Sequence, residues 1–364
     1  MLPEGVNFCD SSNYDFLSSL FRLQNNELIM ERFKRLPANL EIEPNERILK
    51  WVEKTRKALP DGIREKLGIF FDRESFFALF LTNHIATKKL MEPESLLSYL
   101  STMSDKDLIV NFLCSGHGFS EEADLLKPIS ASNNERELIE YISKNMAMPT
   151  KQKADLLKLC NNPSAARKEL IHLLLWYNER IYEDLPFDPV YEVEEQRSKL
   201  YGFFEKYGKN YVQWLTGSSV RSGVPATGSI TIAVSFFYEI ILLKGSIPYR
   251  REDIYVVGYR YPERITPPVD KMASGVDLFT ILANDVNLRI LKRLSQGPMG
   301  VTEIALSTKL TNVEVTDYLS VLMRYGVIED SVEGDRRLFN LNKNFLIKTV
   351  GDSVNEIFGE AVDD

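Results

Sequence analysis

The sequence predicts a mainly α chain of the α+β class. A helical N-terminal region with a small β element leads into a C-terminal region of short helices and a β-hairpin. Three observations carry that expectation. A helical hydrophobic period dominates from Ser11 to about Gly208. Two runs rich in β-branched and aromatic residues, Ser229 to Phe237 and Ile254 to Tyr261, then read as strands. Beyond Val276, apolar residues recur at three- and four-residue steps and end in two short alternating runs.

Each helix has its own signals. Asn45 to Leu59 follows Pro44, a residue favoured at the first helical position, and sets Ile48, Trp51, Val52 and Leu59 at helical spacing. Ser132 and Glu135 form a capping box ahead of Leu138, Ile139 and Ile142. Thr150 opens a helix carrying Leu156, Leu157 and Leu159. The longest candidate, Pro163 to about Tyr182, is apolar over most of its circumference and is expected to be the central buried helix. A further amphipathic helix runs from Pro189 to Tyr207. Thr216-Gly217-Ser218-Ser219 and Ser222-Gly223 are loop residues. The two strands are the simplest small sheet, expected as an antiparallel pair. Thr266-Pro267-Pro268-Val269-Asp270 resists helix and central-strand pairing. The expected domains are therefore 1–265, a Pro-rich linker at 266–273, and 274–364.

Composition bounds the function. The 364 residues carry 44 Lys and Arg against 52 Asp and Glu, a net charge of −8, with 44% apolar and 26% charged residues. That is an ordinary globular composition, and its length suggests two or three domains. The acidic balance argues against a coat on nucleic acid or on an anionic membrane, though it leaves room for a small basic patch. No stretch approaches 18 uninterrupted apolar residues, and Met1 to Gly5 shows no secretory pattern. Three scattered cysteines, Cys9, Cys114 and Cys160, fit a reduced cytoplasmic compartment better than a disulfide framework.

The C-terminal region is the most informative. Val276 to Ala283 and Asn287 to Leu294 read as two short helices, the second stopped by Gly297-Pro298. Val301 to Ser307 is a third. After a turn at Thr308-Lys309-Leu310, Thr311 is the expected N-cap of a fourth, with Glu314 closing a capping box. That helix buries Val315, Leu319 and Leu322 and ends at Gly326, a left-handed C-cap. Two helices joined so tightly make a helix-turn-helix. Val327-Ile328, a turn at Glu333-Gly334-Asp335, and Arg336 to Leu341 make a hairpin wing. A last helix, Asn344 to about Phe358, carries Leu346, Ile347, Val350, Val354, Ile357 and Phe358, an apolar stripe suited to a partner subunit.

On these residues Leu278 to Leu341 resembles the winged helix-turn-helix of the arsenic-repressor (ArsR) family of bacterial transcription regulators. Asn287-Leu288-Arg289-Ile290-Leu291, Val301-Thr302-Glu303-Ile304-Ala305, Val315-Thr316 with Leu319, Leu322 with Gly326-Val327, and Glu333-Gly334 with Leu341 match its motifs in order. Residues 6–262 weakly resemble the helical domain that precedes such a winged helix in longer regulators, through Tyr14 to Phe21 and Val256 to Tyr259. The resemblance implies a cytoplasmic homodimer on double-stranded operator DNA, with a small-molecule or protein effector at the N-terminal domain. Asn312, Thr316 and Tyr318 would contact bases or phosphates, together with Thr311 and Arg324 of the same segment. Thr302 would bond a phosphate, and Arg336 and Arg337 on the wing would approach the minor groove or backbone.

The chain departs from that family in its charge. Asp317 stands where Arg, Gln or His is usual, Tyr318 where His is common, and Glu329 and Asp330 replace basic wing residues. Residues 272–364 hold 9 Lys and Arg against 14 Asp and Glu, a net of −5, opposite to the usual bias of DNA-binding domains. A protein-interaction module that no longer binds DNA is the alternative this motivates.

Other chemistry is weakly signalled. The family's Cys-x-Cys metal sensor is absent, and no Cys or His follows His172. Cys114-Ser115-Gly116-His117 has a zinc-compatible spacing, but a site would need two further ligands, which only Cys9, Cys160, His84, His172 or carboxylates could supply, and it reads as an incidental pair. His84 and His172 lie in apolar helices and read as core histidines. Gly217-Ser218-Ser219 lacks the context of a phosphate loop or a nucleophile elbow. No metal, cofactor or enzymatic activity is expected. Trp51, Trp176 and Trp214 read as core, although an aromatic-rich body of this kind can hold a small-molecule pocket.

Overall fold

The computed structural model describes residues 2, 5–34, 36, 42–72, 77–114, 130–145, 149–207, 211, 215, 229–247, 252–264, 275–333 and 336–358. The described residues are mostly helical, with a few short strands. The chain divides into two compact units, Met1–Tyr211 with Val220–Ile265, and Thr266–Asp364 with Val212–Ser219. The predicted loop residues 216–219 and 222–223 and the Pro-rich run 266–270 lie outside the described residues.

The first unit is organised around α1 (Asn13–Lys34), 22 residues long and buried without a break from Asn13 to Leu23. The helix beginning at Pro163, expected to be buried over most of its circumference, is instead buried on one face. Polar residues hid α1 from a hydrophobicity reading, because Ser18, Ser19, Arg22 and Asn25 interrupt its apolar positions. Each is buried with a partner. Ser19 Oγ accepts from Tyr177 Oη at 2.7 Å. Ser18 Oγ lies 2.6 Å from Ser235 Oγ. The Asn25 amide donates to Phe21 O and to Phe71 O at 2.8 Å, where the helix kinks.

The surrounding helices follow their caps. In α2 (Glu46–Ala58) Asn45 is the N-cap, and its side chain accepts from Arg47 N at 2.9 Å, so Pro44 precedes the cap and does not open the helix. Three helices follow, α3 (Asp61–Phe70), α4 (Thr82–Lys88) and α5 (Pro93–Thr102). Beyond them lie α6 (Asp105–Cys114) and α7 (Glu135–Asn145). Asn134, not Ser132, supplies the side-chain oxygen that accepts from Arg136 N at the start of α7. Next come α8 (Thr150–Asn161) and α9 (Pro163–Tyr177), the latter continued by a π turn over Asn178–Tyr182. One face of α9 is buried through Leu170, Leu173, Leu174 and Tyr177, while Leu175 is 44% exposed. The last long helix of the unit is α10 (Pro189–Tyr207).

The sheet differs from the expected antiparallel pair. It has four strands in the order β1-β2-β4-β3, namely β1 (Val6–Phe8), β2 (Ser229–Ser235), β3 (Leu242–Ile247) and β4 (Glu252–Gly258). The two predicted strands became β2 and β4, which pair parallel with Thr231 opposite Ile254. They run the same way because β3 returns the chain between them in sequence, antiparallel to β4. The three-residue β1 joins the far edge, parallel to β2. A short helix, α11 (Tyr261–Arg264), closes the unit.

At the carboxyl end of this sheet Arg22 Nη2 lies 2.7 Å from Glu239 Oε2, with both side chains fully buried. Glu239 takes φ +46, and the other oxygen of its carboxylate accepts from Asn45 N at 2.7 Å. Burial draws the guanidinium down and pushes the carboxyl up. Gly258 permits the close approach here, since a Cβ on it would sit 2.2 Å from the Glu239 carbonyl oxygen.

The second unit runs α12 (Gly275–Leu282), α13 (Asp285–Leu294), α14 (Val301–Thr308), α15 (Asn312–Arg324), β5 (Ile328–Glu333), β6 (Arg336–Leu341) and α16 (Lys343–Phe358). Its core joins Leu278, Ile290, Ile304, Val315, Leu322 and Phe339. The two strands form an antiparallel hairpin with Ile328 opposite Leu341.

Candidate nucleic-acid interface

The local chemistry of α14 and α15 fixes a tight helix pair. Gly300 N donates to Glu303 Oε2 at 2.8 Å, which caps α14. Lys309 takes a left-handed φ of 59 and ends that helix, and Leu310 N then reaches back to Ala305 O at 3.1 Å. Thr311 and Glu314 close the capping box expected of them. Thr311 N donates to Glu314 Oε2 at 2.9 Å, and Glu314 N donates to Thr311 Oγ1 at 3.2 Å. Val315, Leu319 and Leu322 then point into the core. At the far end Gly326 has φ +70, and Phe345 of α16 packs 3.5 Å from where its Cβ would be.

These constraints leave a particular set of side chains outward. Thr302, in the first turn of α14, is exposed, and so are Asn312 and Thr316, one helical turn apart on α15. The Thr316 hydroxyl donates to Asn312 O at 2.8 Å. Thr311 is half-buried and held by its cap. Tyr318, expected among the contacting residues, is half-buried and packs against the apolar core. Asp317 is half-buried. Arg324 lies in the last turn of α15, and Arg336 and Arg337 open β6, paired with Glu333 and Val332. The side chains of those three arginines lie outside the described ones.

Two basic residues have structural positions that the sequence did not announce. The Arg289 guanidinium pairs with Asp285 at 3.2 Å and donates to Thr308 O at 3.2 Å. Arg293 donates to Ser307 O at 3.4 Å. Both therefore face the carbonyl end of α14, where cations are favoured. Lys309, by contrast, is exposed in the turn ahead of α15. It is a candidate contact that the sequence reading passed over, and its signal was a lone lysine between a helix end and an N-cap.

The stripe on α16 divides. Leu346 and Val350 pack on the core, whereas Ile347 is 73% and Val354 37% exposed. The side chains of Ile357 and Phe358 lie outside the described ones.

Of the other candidates, Ser218 and Ser219 lie outside the described residues. Among the described residues no group of three or more His, Cys, Asp or Glu could hold a metal ion. Cys114 is buried and burial pushes its thiol up to about 11, while residues 115–117 lie outside the described ones. His172 is exposed beside Lys66, with Nδ1 3.0 Å from Lys66 Nζ, so it is not a core histidine. No helix among the described residues is long and apolar enough to cross a membrane. No family model matches the chain, and no curated protein matches it.

Proposed function

We propose that this chain is a cytoplasmic bacterial transcription regulator of the ArsR type. It would bind operator DNA as a homodimer through a C-terminal winged helix-turn-helix, and its first unit would take a small-molecule or protein effector. The observation that carries this reading is the ordered series in the second unit. A capped α14, a left-handed turn at Lys309, a capped α15, a left-handed Gly326 and a two-stranded hairpin follow one another as a groove-reading unit requires. In this reading α15 enters the major groove, Asn312 and Thr316 meet bases or phosphates, and Thr302 bonds a phosphate. Arg336 and Arg337 carry the wing to the backbone. The exposed Ile347 and Val354 of α16 support a dimer, because such side chains gain from cover by a second copy.

The test is a mobility shift of promoter-region DNA between roughly 50 and 200 mM salt, with sedimentation of the wild type and of Ile347→Glu. Binding at low salt that falls steeply as salt rises, by a dimer that Ile347→Glu dissociates, is the expected result. A folded dimer that shifts no DNA at low salt would overturn the reading.

One observation favours a second reading, a protein-interaction module. The 9 Lys and Arg against 14 Asp and Glu of residues 272–364 would attract a basic partner surface, and the same absence of a shift would support it.

A further inference from the structure

The first unit holds a cleft of about 530 Å³, within the ~300–1,000 Å³ usual for small-ligand sites. It lies where α1, α5 and α10 begin and where the π turn after α9 ends. Its floor is apolar and aromatic, through Tyr182, Leu185, Pro186 and Phe187. Tyr182 is half-buried and donates its hydroxyl to Ser12 O at 3.1 Å. The π turn that positions it is closed by Glu183 N donating to Asn178 O, and such turns are frequent at functional sites. Phe187 is buried and packs edge-on against Trp51 and Phe236.

The walls carry one sign of charge. Glu92, Glu183 and Asp188 line the cleft, and none of its described lining residues is basic. Each carboxylate has one oxygen engaged. Glu92 Oε2 accepts from Ser12 Oγ at 2.7 Å, Glu183 Oε1 accepts from Asn178 Nδ2 at 2.8 Å, and Asp188 Oδ1 accepts from Val190 N at 3.0 Å. The second oxygens of Glu183 and Asp188 have no donor among the described residues. The three helix N-termini contribute roughly half a positive charge apiece, so three whole negative charges outweigh them. The Phe187 ring already accepts a cation on one face, with the Arg47 guanidinium carbon 5.3 Å from its centroid. Arg47 itself is paired with Glu192 at 2.7 Å.

We infer that this cleft binds an organic cation with an apolar or aromatic body, its charge facing the carboxylates and its body lying on Tyr182 and Phe187. Charge complementarity selects the sign, and the floor selects a lipophilic body over an inorganic ion. The inference rests on the regulator reading only for its purpose, since the cleft would be the effector site; the binding itself needs no DNA.

The test titrates the full chain with tetraphenylphosphonium and with tetraphenylborate, ions of one shape and opposite charge, by calorimetry and by Trp51 emission in a variant carrying Trp176→Phe and Trp214→Phe. Saturable binding of one phosphonium per chain, with the borate binding far more weakly, is expected. Glu92→Gln with Glu183→Gln keeps both acceptor oxygens and should weaken phosphonium binding roughly tenfold, the loss of two partly exposed charge contacts, without moving the melting temperature of the free protein. Should the double variant fail to fold, Glu183→Gln alone is expected to weaken binding several-fold. An absence of saturation, equal binding of both ions, or unchanged affinity in the variants would overturn the site. Phosphonium binding by a chain that shifts no DNA would dismiss the regulator reading and leave the site standing.

Discussion

Replacing Asp15 with Asn should remove a pH dependence from the stability of the first unit. Asp15 is the third residue of α1 and is fully buried. Its Oδ1 accepts from Phe236 N at 2.7 Å and from Ser235 Oγ at 3.1 Å, tying the helix to the end of β2. The charged groups around it are Arg197 on α10, with Tyr182 on the π turn and Tyr238 after β2 as titratable neighbours. Burial pushes its carboxyl from 3.8 up to about 7, against the hydrogen bonds from Phe236 and Ser235 and the attraction of Arg197. The folded chain therefore holds this proton more tightly than the unfolded chain. The stability linked to it is fully present below about pH 4 and is lost as pH rises through about 7. Each tenfold change in proton affinity is worth about 1.36 kcal/mol, so the whole effect is about 4 kcal/mol, a large part of a typical total of roughly 5–15 kcal/mol. Urea unfolding of wild type and Asp15→Asn, followed at Trp51 across this pH range, gives the difference directly. Other carboxylates titrate in both proteins and cancel. The wild type should lose stability relative to the variant as pH rises from 5 to 8. Parallel curves, or a wild type that gains on the variant with rising pH, would refute the reasoning.

The other expectations concern single contacts. Glu239→Gln leaves the fully buried Arg22 without its counter-charge and should cost about 3–5 kcal/mol in thermal unfolding; adding Arg22→Met should restore part of it. Thr311→Ala removes the α15 cap and should cost about 1 kcal/mol, seen as a lower melting temperature of the second unit. Under the regulator reading, Arg336→Ala with Arg337→Ala should weaken DNA binding on all sequences alike. It should flatten the plot of log affinity against log salt by about 2, since each lost phosphate contact removes about 0.9; an unchanged slope would exclude a wing contact.

How much was legible depends on where the polar atoms sit. The caps and the core spacing of the second unit were readable because their signals are local. Thr311 and Glu314 are three residues apart and cap each other, Gly326 is required by its own φ, and Val315, Leu319 and Leu322 share a face by spacing alone. The first unit hid its centre for the opposite reason. Ser18, Ser19 and Arg22 look like surface residues and are buried because Ser235, Tyr177 and Glu239, more than 150 residues away in sequence, satisfy them. The parallel sheet was missed for a related reason. The strand that reverses the chain, β3, contains Lys244 and Gly245, and Gly245 is needed because Asn83 approaches it, a contact no local pattern announces. The cleft was not legible at all, since it gathers the starts of three helices that lie far apart in the chain.

The acidic second unit is the strongest objection to DNA binding, and the structure weakens it in a specific way. A net charge matters to a phosphate only within about a Debye length, ~8 Å at physiological salt, so the position of each carboxylate decides its effect. Glu303 and Glu314 cap α14 and α15, where they offset the partial positive charge of those helix N-termini. Asp285 is paired with Arg289. Glu329 accepts from Asn342 at 2.6 Å. Under the regulator reading, Arg289 and Arg293 would not offset these carboxylates on the DNA face, since both face the carbonyl end of α14. In that reading the contest is therefore local, between Lys309 on one side and Asp317 with the capping carboxylates on the other. Lys309→Gln shifts that balance by one charge at the exposed C-cap of α14, without removing a capping carboxylate or a core side chain, and under the regulator reading it should weaken DNA binding at fixed salt more than any neutralisation on α13. Equal losses at the two places would mean that the face beside α15 does not meet phosphate.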